Sequence, residues 1–149
     1  MRLTETEIQS LQNYNYTSNY QTKYETWWNR KEYWKDIQIH QKLSSKFIDE
    51  FAEYLDFQLI SSTQVLSEDT IRKHYDQLDW HDLCMKQTLS QSFIIEFIDY
   101  IDWDMVSYYQ KLSRKFLVKY KWYLNWCNVF RNKEISDKVK EMIIDSIKY

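Results

Sequence analysis

Large apolar side chains return along this chain at a fixed interval. Trp34, Phe57, Trp80, Trp103 and Trp126 stand 23 residues apart, and three positions after each comes Ile37, Ile60, Leu83, Val106 or Val129. Polar positions keep the same spacing. Counting the Trp or Phe as offset 0, Gln41, Gln64, Gln87 and Gln110 fall at offset 7, where Lys133 then breaks the series. Offsets 9 and 10 read Leu43-Ser44, Leu66-Ser67, Leu89-Ser90, Leu112-Ser113 and Ile135-Ser136. A second apolar set occupies offsets 13, 14, 17 and 21, as Phe93, Ile94, Phe97 and Ile101 in the third copy, and copies close on Asp56, Asp79, Asp102 or Asn125. Self-similarity at such a period marks a repeat architecture.

Each copy predicts two short helices. At about 100° per residue, offsets 13, 14, 17 and 21 share one stripe, and offsets 0, 3 and 7 cluster on one side of a shorter helix. The serine at offset 10 and the Asp or Asn before each Trp are natural N-caps, because their oxygens accept from orphan amides of the first turn. Helices of roughly 8 to 11 residues are not stable alone in water and must bury their stripes against neighbours. The expected fold is all-α: an α-solenoid of five 23-residue two-helix repeats, at 34–56, 57–79, 80–102, 103–125 and 126–148, continuous over 34–149. Offsets 0, 3, 9, 13, 14, 17 and 21 would form its core. A degenerate capping unit is expected over 1–33, where Leu11, Tyr14, Tyr20, Tyr24 and Trp28 echo core offsets and Thr4 and Glu7 suit a capping box. Lys133, Lys140 and Lys148 predict a solvated terminal face on the last copy.

Composition strengthens the helical reading. The 149 residues include no Gly and no Pro. Phosphate loops, dinucleotide fingerprints, nucleophile elbows and EF-hand loops each need glycine, and tight hairpins usually recruit it. An aromatic share of 18% excludes a disordered chain.

Candidate chemistry is sparse. His40, His74 and His81 fall in different copies at different offsets, with no i,i+4 pair. Cys84 and Cys127 stand two copies apart, beyond disulfide reach if packed helices lie about 8–10 Å from one another. Carboxylate pairs such as Asp49/Glu50 and Glu68/Asp69 lack a partner base. The expectation is therefore a non-enzyme with no cofactor and no metal. The glutamines at offset 7 read as spacers that satisfy backbone groups of a neighbouring unit. The tryptophans read as core, each with one indole donor to satisfy. Without a long apolar run or an apolar leader, a cytoplasmic location away from membranes is expected.

Charge is what the repeat does not explain. Positions 49–104 hold thirteen acidic and three basic residues, a net of −10, whereas 105–133 hold seven basic and no acidic ones, a net of +7. The basic stretch also carries aromatics outside the expected core: Tyr108, Tyr109, Trp122, Tyr123 and Phe130. Trp122 takes the offset held by Glu53, Asp76, Asp99 and Asp145 elsewhere. A Trp among acidic siblings suits an interface anchor. The candidate partner-binding residues are Tyr108, Lys111, Arg114, Lys115, Lys119, Lys121, Trp122 and Arg131. Basic residues interleaved with aromatics can also track single-stranded nucleic acid, but the acidic copies alongside would repel it, so a protein partner is favoured.

The segment Trp80–Leu83, Gln87, Leu89-Ser90, Phe93-Ile94, Phe97, Asp99 and Ile101-Asp102-Trp103 resembles the tandem W-x-x-I-x-x-x-Q-x-L-S-x-x-F-I repeats found in proteins of large phages and giant DNA viruses. The second copy departs from that pattern at Phe57, Thr70 and His74. The resemblance implies a viral origin and a non-enzymatic role against a host or viral partner, without assigning functional residues. Two roles follow as expectations: a module that binds and occludes a host defence or regulatory protein, or a component that assembles with itself.

Overall fold

The structure, a computed structural model, describes residues 31–147, and every regular element in that range is a helix. The chain forms two compact units, Met1–Leu55 and Asp56–Tyr149. Positions 1–30 of the expected N-terminal cap, and Lys148, lie outside the described residues.

The first unit contains α1 (Lys31–His40), α2 (Ser45–Glu50) and a 3₁₀ turn at Ala52–Tyr54. Trp34, 4% exposed, packs on Phe47, Phe51 and Tyr54 with ring centroids 6.4, 5.7 and 4.9 Å away. The second unit holds copies two to five: α3 (Phe57–Thr63), α4 (Glu68–His74), α5 (Trp80–Lys86), α6 (Gln91–Glu96), α7 (Trp103–Tyr109), α8 (Arg114–Lys119), α9 (Trp126–Arg131) and α10 (Asp137–Ile147). The first helices of successive copies pack in series, α3 on α5, α5 on α7 and α7 on α9, while α8 packs on α10. This is the repeat stacking expected of a solenoid.

The helices of copies two to four are 6 or 7 residues long, shorter than the spacing predicts. Caps at both ends explain the difference. Ser44, Ser67, Ser90 and Ser113 accept the amides of Phe47, Thr70, Phe93 and Phe116 at 3.1–3.2 Å. Asp56, Asp79, Asp102 and Asn125 cap the first helices through the amides of Leu59, Asp82, Met105 and Asn128 at 3.1–3.3 Å. Each first helix then runs into extended backbone at Gln64, Gln87 or Gln110, with ψ of 148–153°. Second helices end in a tight turn over offsets 17–20, closed by Gln77 N–H to His74, Tyr100 N–H to Phe97 and Tyr123 N–H to Tyr120, at 2.9–3.0 Å. No described residue has positive φ, so a chain without glycine meets no conformational penalty here. Offset 21 is buried as expected, at Leu78, Ile101 and Leu124, but after the turn and not on the helical stripe.

The glutamines form a ladder between copies. Gln87 donates to the Gln64 carbonyl at 2.7 Å and accepts from the Leu66 amide at 3.0 Å. Gln110 donates to the carbonyls of Gln87 and Cys84 at 2.7 and 2.8 Å and accepts from the Leu89 amide at 3.0 Å. All are at least 94% buried, so these bonds satisfy main-chain groups that would otherwise be desolvated without partners. At the last junction Lys133 is exposed, and Asn132, one position earlier and fully buried, takes the role by donating to the carbonyls of Ser107 and Gln110 at 3.0 and 2.8 Å.

A second device had no place in the sequence reading. At offset 4, Ser61 and Ser107 donate to the carbonyls of Phe57 and Trp103 at 2.7 and 2.6 Å and accept the amides of Asp79 and Asn125 at 2.9 and 3.0 Å. Cys84 holds the same offset and meets the Asp102 amide. The side chain thus ties each first helix to the end of its own copy.

Tyr123 lies outside the core as expected, 50% exposed, with its ring 4.8 Å from Trp103. Tyr100 repeats this on Trp80 at 5.5 Å. One expectation about a side chain is corrected. Lys140 is not a solvated lysine: its side chain is 12% exposed, its stem lying at the offset held by Ile71, Ile94 and Leu117, while its ammonium is 3.7 Å from Asp137.

Candidate functional site

The repeat consumes most of its distinctive residues. Trp80 and Trp126 donate their indole N–H to the carbonyls of Tyr75 and Lys121, at 2.9 and 3.1 Å, at offset 18 of the preceding copy. His74 stacks on Phe57 at 4.5 Å, as a packed aromatic substitute. Among the described residues no group of three His, Cys, Asp or Glu is placed to hold a metal ion. Cys84 is buried and Cys127 exposed, and neither is in a disulfide. Burial pushes the Cys84 thiol up to about 12, opposite to the shift of a reactive thiolate.

Trp122 is the exception, at 83% exposed. Its exposure has a local cause. It sits third in the four-residue turn from Tyr120 to Tyr123, whose shoulders are drawn inward. The Lys121 carbonyl receives the Trp126 indole N–H, Leu124 is buried, and the half-exposed Tyr123 rests its ring against Trp103. The apex then projects outward, where copies two and three place Asp76 and Asp99. The Lys121 ammonium lies 5.0 Å from the Trp122 ring centroid, and that of Lys119 lies 5.1 Å from the Tyr120 ring, both cation–π distances.

The structure divides the eight candidate residues between two edges. Lys119 ends α8, Lys121 and Trp122 follow it, and all three lie on the edge where each copy passes to the next. Tyr108 is in the last turn of α7, Lys111 lies in the connection, and Arg114 and Lys115 open α8, all on the opposite edge. Arg131, at the end of α9, occupies the same offset as Tyr108 and belongs with that second group. A six-residue helix separates the groups by roughly 9 Å. Sequence proximity joined residues that the fold places at two ends of one short helix.

Charge remains segregated in the folded unit. In copies two and three, Arg72 gathers Asp69 and Glu96 at 2.9 Å and Glu68 at 3.6 Å, with its guanidinium 5.0 Å from the Phe93 ring centroid. The hydrogen bond from Arg72 holds Glu96 below the usual carboxylate range, and the same bond raises Arg72 further. His81 Nδ1 lies 2.8 Å from Asp102 Oδ2. That hydrogen bond raises the imidazole, while Asp102, pushed up by partial burial, is brought below its ordinary value by His81 and by the amides it caps. In copies four and five, by contrast, Lys111, Arg114, Lys115, Lys119 and Arg131 pair with no carboxylate among the described residues.

No protein family, no characterised protein and no solved structure matches the chain. Among the described residues, no helix is long and apolar enough to cross a membrane.

Proposed function

We propose that the protein is a non-enzymatic helical-repeat module that binds another protein through the basic and aromatic face of its fourth copy. The observation that carries this reading is Trp122, 83% exposed at a turn apex with the Lys121 ammonium 5.0 Å from its ring, while the ladder glutamines and the indole N–H groups of Trp80 and Trp126 are spent on internal bonds. An exposed aromatic anchor with cationic neighbours supplies apolar contact area and electrostatic steering together. The buried polar side chains support a scaffold rather than catalysis, since the ladder glutamines are committed to main-chain groups. The resemblance of the third copy to repeats of large phages and giant DNA viruses is the ground for reading the protein as virus-encoded, acting in the host cytoplasm by occluding a defence or regulatory factor.

The test is a photo-crosslinking amino acid placed at position 122 of the full chain, with position 65 as control. Val65 is similarly exposed, at 80%, but lies in the second copy. Crosslinking of one protein species in cell lysate from position 122 and not from position 65 supports the proposal. Equal products from both positions, or none from position 122, reject it.

Charge segregation favours a second reading, assembly of copies head to tail into a ring or filament. Light scattering at low and high salt separates the two. A monomer at both supports binding of a foreign partner, and oligomers that dissolve as salt screens the charges support assembly.

A further inference from the structure

The turn that displays Trp122 occurs in every copy of the second unit except the last. Its exposed face carries Tyr75 and Asp76 in copy two, Asp99 and Tyr100 in copy three, and Trp122 and Tyr123 in copy four, with the partly buried Lys121 placing its ammonium beside Trp122. The turns of copies two and three are in direct contact, with the rings of Tyr75 and Tyr100 edge to face at 5.3 Å. These tyrosines are 37% and 47% exposed. Because α5 packs on α7 as α3 packs on α5, the turn of copy four continues the same edge. The result is a row of exposed aromatic rings, acidic at one end and, through Lys121, basic at the other.

We propose that this row is a docking track for an extended segment of the protein partner, with acidic residues where it meets Lys121 and Trp122 and basic residues where it meets Asp76 and Asp99. The inference rests on the protein-binding reading of copy four and names the partner chemistry it requires. Charge complementarity sets the composition: each end of the track repels a segment of its own sign and attracts the opposite. Spacing sets the conformation. Stacked helices lie about 8–10 Å apart, close to one turn of a polyproline II segment, three residues at about 3.1 Å each. An extended segment in that conformation turns every third side chain to the same face, and can thus present one apolar side chain per copy to an aromatic ring and a charged one between. A partner helix would need a continuous apolar groove, and here Asp76 and Asp99 interrupt the aromatic row.

The experiment uses the full chain and a fluorescein-labelled synthetic peptide of about nine residues, long enough for three copies. It has a lysine block at one end, a glutamate block at the other and leucine at every third position. A second peptide has the same composition with its charges scrambled. Fluorescence anisotropy should show the block peptide binding at least about tenfold more tightly than the scrambled one, a difference of about 1.4 kcal/mol. Trp122→Ala and Asp99→Lys should each weaken it by about the same factor. Lys133→Glu, exposed on the opposite edge in copy five, should leave it unchanged. Equal binding of the two peptides, or equal loss in Lys133→Glu, overturns the proposal. So does a concentration-dependent dimer that Trp122→Ala abolishes, since a second copy would then occupy the track. If neither peptide binds while position 122 still crosslinks a protein, the track is rejected and the protein-binding reading stands. If position 122 crosslinks nothing as well, both fail.

Discussion

The side-chain amide of Gln110 donates to the main-chain carbonyl of Gln87 at 2.7 Å, so that one ladder glutamine holds the backbone of the next. Its oxygen accepts the Leu89 amide from the same copy, and both glutamines are buried. Replacing Gln110 with Leu fills similar volume but strands that amide and two carbonyls. The expected cost is about 2–4 kcal/mol, from orphaned buried groups rather than lost contacts. Urea unfolding of the full chain measures it. Gln91→Leu, which breaks only an exposed bond to Ser113, should cost below about 1 kcal/mol.

Phe93 is fully buried and packs between Trp80 and Phe97 at 6.4 and 4.7 Å. Phe93→Ala should cost about 3–5 kcal/mol by opening a cavity. Phe97, which stays partly exposed, should cost less. Equal losses in denaturant titrations would show that the core is not centred where the burial places it.

How much of this was legible beforehand depended on how regularly a residue type recurs. Ser90 and Asp79 could be read as caps, and Gln87 as a spacer, because the same residue or its close chemical kin stands 23 positions away on both sides. Ser61, Cys84 and Ser107 share one role, yet the thiol between two hydroxyls hid the series. Asn132 escaped because the ladder shifts register by one residue where Lys133 interrupts it. The contacts of Tyr100 with Trp80 and of Tyr123 with Trp103 were not legible, because they depend on where the second helix gives way to the turn. At the candidate site Trp122 was recognisable from its acidic siblings, but its grouping with Arg114 and Lys115 was not, since only the orientation of α8 separates them.

The His81–Asp102 contact sets a pH dependence. His81 is raised above its ordinary value of 6.5, so its contribution is fully present below that pH and is lost as pH rises through the folded value. Asp102 is lowered from 3.8, so its contribution is present above that pH and lost as pH falls through the folded value. Both act together between those two ordinary values. The difference in melting temperature between the parent and His81→Gln should therefore be larger at the acidic end of a scan from about pH 5 to pH 8, and should narrow towards the alkaline end. In Asp102→Asn, which keeps the helix cap, the His81 titration followed by NMR should move down towards its ordinary value.

The two cysteines should differ sharply in reactivity. Burial holds Cys84 protonated far above neutral pH, while Cys127 is exposed. Iodoacetamide at about pH 8 should alkylate Cys127 in the native protein and reach Cys84 only when the chain unfolds. Mass spectrometry of the native digest decides it.

Trp103 and Trp122 belong to the same copy and are assigned opposite duties, one to the fold and one to the partner. Paired alanine variants, with unfolding free energy and affinity for the crosslinked partner measured on each, test that division most directly. Trp103→Ala should lose about 2–3 kcal/mol of stability, less than a fully buried ring because Trp103 is partly exposed. Trp122→Ala should unfold within about 0.5 kcal/mol of the parent, as for an exposed side chain, and lose about 2 kcal/mol of binding. A Trp122→Ala protein that binds undiminished, or that is destabilised as much as Trp103→Ala, would contradict the account.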